Sequence, residues 1–146
     1  MTENRLLPTD ELLRSFVEDV TESRIRDDRI MRTIAELGRR GAAAELGYKH
    51  LANVLRDAVR WDIGEARKWV ANAALLNGEI TPTGSELAPE LPVTAEAVAE
   101  GALSVGHVAA LAEAMTKLPA EAEAVMVDFA REHVPAAIAK FGKELA

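Results

Sequence analysis

Residues 49–76 read KHLANVLRDAVRWDIGEARKWVANAALL, and the periodicity of this stretch decides the fold class. Leu51, Val54, Leu55, Ala58 and Val59 follow Tyr48 at helical spacing, which predicts an amphipathic helix ending near Arg60 and Trp61. Asp62-Ile63-Gly64-Glu65 comes next. An aspartate with a glutamate three positions on is close to a capping box, so a second helix is predicted from about Ile63 to Leu76, with Asp62 as its cap. Ala66, Val70 and Ala73 form its apolar face, and Asn77-Gly78 stops it. Two helices over 48–76, joined by a turn of about four residues with a glycine, have the layout of a helix-turn-helix.

The same period extends outward in both directions. Upstream, Thr9 precedes Asp10 and Glu11, a pattern of N-cap and first-turn acids that predicts a helix over about 10–38 with Gly38 as its stop. At 1.5 Å per residue such a helix is roughly 40 Å long, more than a small domain is wide. Its stripe has a gap. Leu13, Phe16, Val17 and Val20 share one face, Met31 and Ile34 return to it, and Arg24 and Asp27 stand between. A break in the helix, an ion pair at a rim, or a first half that projects onto another chain each account for the gap. Acid-to-arginine pairs at i,i+4 (Asp10–Arg14, Glu22–Arg26, Asp28–Arg32, Glu36–Arg40) support an exposed helix. A turn at Arg39-Arg40-Gly41 leads into Ala42–Gly47.

Downstream, residues 77–92 hold three prolines and form one long loop. Helices then resume over 93–146. A short one ends at Gly101. Ser104 caps one that buries Val108, Leu111, Ala112 and Met115. One over 120–133 is expected to bury Val125, Phe129 and Met126, and Pro135 opens the last. The expected fold is all-α: one domain over 1–146, an orthogonal multi-helix bundle with a long N-terminal helix and a helix-turn-helix-like pair.

Composition narrows the function classes. The 146 residues are 49% hydrophobic and 28% charged, a globular balance, and the 4% of aromatics implies an aliphatic core. Without cysteine there are no disulfides, thiol nucleophiles or thiolate metal sites, which fits a reducing cytoplasm. No signal peptide or membrane-length apolar run is legible, so cytoplasmic localisation without membrane contact is expected. The net charge of −7 argues against a chain coated in basic charge, but the deficit sits in residues 81–146, with 4 basic and 10 acidic side chains.

Enzymatic and metal motifs do not appear. His50, His107 and His133 never fall at i,i+4, and no glutamate precedes a histidine by three. Gly142-Lys143 lacks the glycine a phosphate loop needs, since position 137 is Ala137. Ser104 lies in Leu-Ser-Val-Gly, which suits a cap and not a nucleophile elbow. Asp27-Asp28 lies on a polar helix where nothing is expected to raise a carboxyl pKa. No catalytic residue, cofactor, metal or small-molecule substrate is expected.

The pair over 48–76 carries the remaining chemistry. Helical spacing groups Arg67, Lys68, Ala71 and Asn72 opposite Ala66, Val70 and Ala73. Arginine can bond a guanine edge in two places and asparagine an adenine edge, while Lys49, Arg56 and Arg60 on the preceding helix could meet phosphates. Between Lys49 and Lys68 there are five basic and three acidic side chains. Trp61 and Trp69 suit core packing better than base stacking.

A wider pattern carries a resemblance. AELGRRGAAAELGYKHLANVLRDAVRWDIGEARKWVANAALL, followed by TPTGSELAPELPVTAEAVAEGALSVGHVAALAEAMTKLP, resembles an actinobacterial family. In it, a helical domain of unknown function (family number 222) commonly precedes an HNH endonuclease domain. The matching pieces are Arg39-Arg40-Gly41, Glu65-Ala66-Arg67, Thr83-Gly84 with Leu91-Pro92, and Ala99-Glu100-Gly101 ahead of His107-Val108, over roughly residues 35–135. No HNH motif is present, so nuclease chemistry is assigned to no residue here. The chain is expected to be either a fragment of a longer protein or a short stand-alone member. Glu100-Gly101-Ala102-Leu103-Ser104-Val105-Gly106-His107 is also similar to the segment after the helix-turn-helix of ParB-type partition proteins. It departs from them at Val108 and in its proline-rich loop.

Two functions are therefore expected. The first is a non-catalytic DNA-binding or DNA-targeting module on double-stranded DNA, using Lys49, Arg56, Arg60, Arg67, Lys68 and Asn72. It would form the N-terminal part of an HNH-nuclease-associated protein. The second is a protein-protein interaction or homodimerisation module without direct DNA contact, the homodimer forming through residues 10–38.

Overall fold

The computed structural model describes residues 5–80, 86–87 and 89–146. Its helices are α1 (Thr9–Arg39), α2 (Ala42–Glu45), α3 (Leu51–Val59), α4 (Ile63–Asn77), α5 (Pro92–Ala99), α6 (Val105–Met115), α7 (Glu123–Ala130) and α8 (Pro135–Leu145). The fold is all-α, as the periodicity predicts. One addition falls inside the segment expected to be a plain loop. Glu79–Ile80 (β1) and Glu86–Leu87 (β2) pair antiparallel, with Glu79 opposite Leu87. The Thr83-Gly84 motif lies outside the described residues.

α1 is one unbroken helix of 31 residues, about 46 Å long. Of the three explanations for its polar gap, the break is excluded, and Arg24 does not pair with Asp27. Arg24 instead donates to the Ala102 carbonyl at 3.3 Å. Asp28 is buried and pairs with Arg32 at 2.9 Å. The gap is thus where α1 meets the polar backbone of the turn between α5 and α6. Gly101 makes that approach possible. It has a φ of 80°, and a Cβ there would lie 2.7 Å from the Thr21 carbonyl oxygen.

From Thr21 onward α1 lies on the body, and Met31 and Ile34 enter the core. Before that point no described residue of the chain is buried. The core is aliphatic: Met31, Leu103, Leu111, Met126 and Ile138 are fully enclosed. α6 packs on α8, and α4 lies across α1 and α3.

Several local expectations change. The N-cap of α1 is Pro8 rather than Thr9, and no side chain caps it. Asp62 does precede α4, but its side chain makes no capping bond, so the predicted capping box does not form. A box does form at α6. Ser104 Oγ accepts the His107 N–H at 3.2 Å, while the Ser104 N–H donates to His107 Nδ1 at 3.2 Å. The glycine expected in the α3–α4 turn, Gly64, is helical. The left-handed residue that reverses the chain is Arg60, at φ 64°. Val125 is exposed, and Met126 and Val127 face inward. A 3-10 turn over Ala120–Ala122 starts α7 later than expected and shifts which of its residues face the core.

Two buried polar groups lock the C-terminal helices. Glu123 Oε2 accepts from the Thr94 N–H at 2.8 Å and from Thr94 Oγ1 at 2.9 Å, so α7 supplies the cap that α5 lacks. His107 Nε2 lies 2.8 Å from the His133 carbonyl, tying α6 to the α7–α8 turn. With Nδ1 accepting at the cap, Nε2 carries the proton and donates.

Candidate functional site

The α3–α4 pair places the six residues singled out by spacing in three different situations. Lys49, Arg67 and Lys68 are exposed, and none makes an ion pair among the described residues. Arg56 and Arg60 are exposed but engaged. Arg56 Nε bonds Asp57 Oδ1 at 2.9 Å, and Arg60 Nη1 donates to the Asp57 carbonyl. Tyr48 donates to the other Asp57 oxygen at 2.8 Å. The Arg56 guanidinium and the Tyr48 hydroxyl together hold the Asp57 carboxyl below the usual carboxylate range. The same contact raises Arg56.

Asn72 corrects the expected flank. It is 8% exposed, so it does not share an outward face with Arg67 and Lys68. The reason lies in packing. α4 contacts α1, α3, α5 and α6, and beyond its first two turns Ala71 and Ala74 are its only exposed residues. A two-sided wheel assigns position 72 to the polar side, but a helix with neighbours on several sides has little polar side left. The adenine contact expected of Asn72 is unavailable in this arrangement. Trp61 and Trp69 stack at 5.0 Å and 10°, half-buried against the core.

The strongest surface feature lies on α1. In its first three turns Leu13, Phe16 and Val17 are 61%, 63% and 53% exposed, with Leu12 beside them. This arm extends the face that further along buries Met31 and Ile34, but none of the described residues covers it. Leaving three large apolar side chains so exposed costs about 1–3 kcal/mol each relative to burial. An apolar strip of this kind marks a contact surface.

A second apolar surface escaped sequence reasoning. An open groove of about 340 Å³ runs between α1 and α3, lined by Ile30, Ile34 and Leu37 of α1, by Leu55 and Val59 of α3, and by Trp61. The exposed Arg26 and Arg29 line its rim. Val59 is 55% exposed. The signal was present: Ile30 and Leu37 lie one step around α1 from the main stripe, beside Ile34.

The Asp27-Asp28 pair also differs from expectation. Burial pushes the Asp27 carboxyl above its ordinary value. No three His, Asp or Glu side chains converge on a metal position among the described residues. No described helix is long and apolar enough to cross a membrane.

An all-α domain with a projecting helix and a helical hairpin defines only a broad class of protein. Sequence comparison goes further: the model of the family described as Domain of unknown function (DUF222) matches residues 17–144, and the chain belongs to that family. No curated protein and no solved structure matches the chain.

Proposed function

We propose that the chain is a non-catalytic interaction module that self-associates through the first half of α1. The observation that carries this reading is the apolar strip of Leu12, Leu13, Phe16 and Val17, set on an unbroken helix and uncovered by the other described residues. A helix in water does not keep such a strip without an apolar surface to place it on. The test is sedimentation velocity over a hundredfold range of concentration. The native chain is expected to pass from monomer to dimer, and Phe16→Glu to stay monomeric with unchanged helicity. A native chain that is monomeric throughout overturns the proposal.

A second reading is favoured by a separate observation. Arg67 and Lys68, near the start of α4, are exposed without an acidic partner among the described residues, and Lys49 is exposed ahead of the N-terminus of α3, at the other end of that helix from the start of α4. This cationic surface suits contact with the phosphates of double-stranded DNA, with Arg56 and Arg60 beside it. On this reading the module would bring an associated HNH nuclease, or another partner, to DNA. The similarity of residues 100–107 to ParB-type proteins points the same way. Because Asn72 is buried, this contact is electrostatic in character and weak in sequence preference. Fluorescence anisotropy with a labelled duplex tests it. Binding should fall steeply with salt and weaken in Arg67→Ala/Lys68→Ala; no binding at low salt removes the reading.

A further inference from the structure

The α1 arm and the α1–α3 groove match each other in length, helical phase and charge. We propose that the arm of one copy seats in the groove of a second copy, and the second arm in the first groove. The two α1 helices would then lie antiparallel and cross at Ser23. This proposal rests on the self-association reading above and specifies where the arm goes.

Length comes first. The arm, Thr9–Val20, and the α1 wall of the groove, Arg26–Leu37, each span twelve residues and lie symmetrically about Ser23. Because α1 is unbroken, the arm cannot fold back into its own groove. Only another copy can present it there. Phase comes second. Positions eighteen apart are about five full turns apart, so Leu12 and Phe16 lie on the same face as Ile30 and Ile34. An antiparallel crossing at Ser23 sets Leu12 of one copy opposite Ile34 of the other, and Phe16 opposite Ile30. Leu13 and Val17 then turn toward the α3 wall, where Val59 stands exposed. Ser23 is small and exposed, so the helices can approach closely where they cross.

Charge decides between this arrangement and the simpler one in which arm pairs with arm. Residues 9–22 carry five acidic side chains and one arginine, whereas residues 24–40 carry six arginines and three acids. Two arms laid together would set acid against acid. In the groove, Asp19 and Glu22 of one copy fall within a turn of Arg26 of the other, and Glu18 close to Arg29. Neither arginine has an ion-pair partner among the described residues. Opposite charges so placed favour the pairing, and like charges oppose the alternative.

The chain has no cysteine, so single reporters can be read cleanly. Ser23→Cys, treated with a short bismaleimide, is expected to give a covalent dimer, and Ser15→Cys little of one. Val59→Glu alters an exposed position outside the arm, and should weaken dimerisation by more than about tenfold while helicity is retained. Mixing Val59→Glu with Phe16→Glu should restore part of the association, because one intact arm meets one intact groove. If instead Ser15→Cys bridges, Ser23→Cys does not, and Val59→Glu dimerises like the native chain, the arms pair with each other. The groove proposal is then overturned while the self-association reading stands. A native chain monomeric at every concentration overturns both.

Discussion

Gly101 shows how closely a single residue can control where α1 sits. Its φ of 80° disfavours any side chain, and an added Cβ would press on the Thr21 backbone. Gly101→Ala should therefore cost about 1–3 kcal/mol in denaturant unfolding. Glu123 is the other sensitive position. Removing its carboxylate leaves the Thr94 N–H and hydroxyl buried without a partner, so Glu123→Ala should cost about 2–3 kcal/mol. Thr94→Val, which loses only the hydroxyl bond, should cost less; equal losses would show that the N–H bond contributes nothing. Glu36 and Asp57 set a pH dependence. Arg40 and Arg39 hold Glu36 below its ordinary value, and Arg56 and Tyr48 do the same for Asp57. A depressed carboxyl stabilises the fold above its unfolded pKa and loses that contribution as pH falls through the folded one. Thermal stability should therefore drop below about pH 4, and Glu36→Gln should flatten part of that slope. Of these features, the sequence made legible Gly101 as a helix stop and the Glu36–Arg40 pair. The bond between Glu123 and Thr94 joins residues 29 apart in the chain, and no local spacing announces it.

At the scale of elements, α1 and α4 were read with opposite success. Helical period placed α1 within two residues of its ends, and the interrupted stripe already held the possibility of a projecting half. The period also placed α4 correctly, yet it misassigned Asn72. Amphipathicity along one helix records a single buried face, and α4 has neighbours on several. The same blindness hid the groove, which is lined from α1 and α3 together. Capping was the least legible feature. Asp62 has the right residue three positions on and makes no bond, while Ser104 works with a histidine in the place of the usual glutamate. His107 holds both the start of α6 and the α7–α8 turn. His107→Ala should thus loosen two elements together. Amide exchange would show faster exchange at the first turn of α6 and at the His133 turn, with α3 and α4 unaffected.

At the scale of the whole molecule, the two surfaces lie on different parts of one rigid frame. The arm and groove belong to α1, α3 and the turn at Trp61, and Arg67 and Lys68, in the first turns of α4, do not line the groove. Self-association would therefore leave Arg67 and Lys68 open and present two copies of the cationic surface. Arg67→Ala/Lys68→Ala is expected to leave the sedimentation profile unchanged, and Phe16→Glu to weaken duplex binding only through the loss of the second copy. A simultaneous loss of both activities in the first variant would place the two surfaces in one site.

The unbroken course of α1 also makes it a ruler with a rotational setting. Seven residues of helix-forming sequence inserted between Val20 and Thr21 would carry the arm about 10 Å outward while turning it by only about 20°. Two inserted residues would barely lengthen it but would swing its oily side about 160° around. The longer insertion should keep the twin assembly with its bodies further apart, and the shorter one should abolish it, a contrast that sets torsional alignment apart from reach.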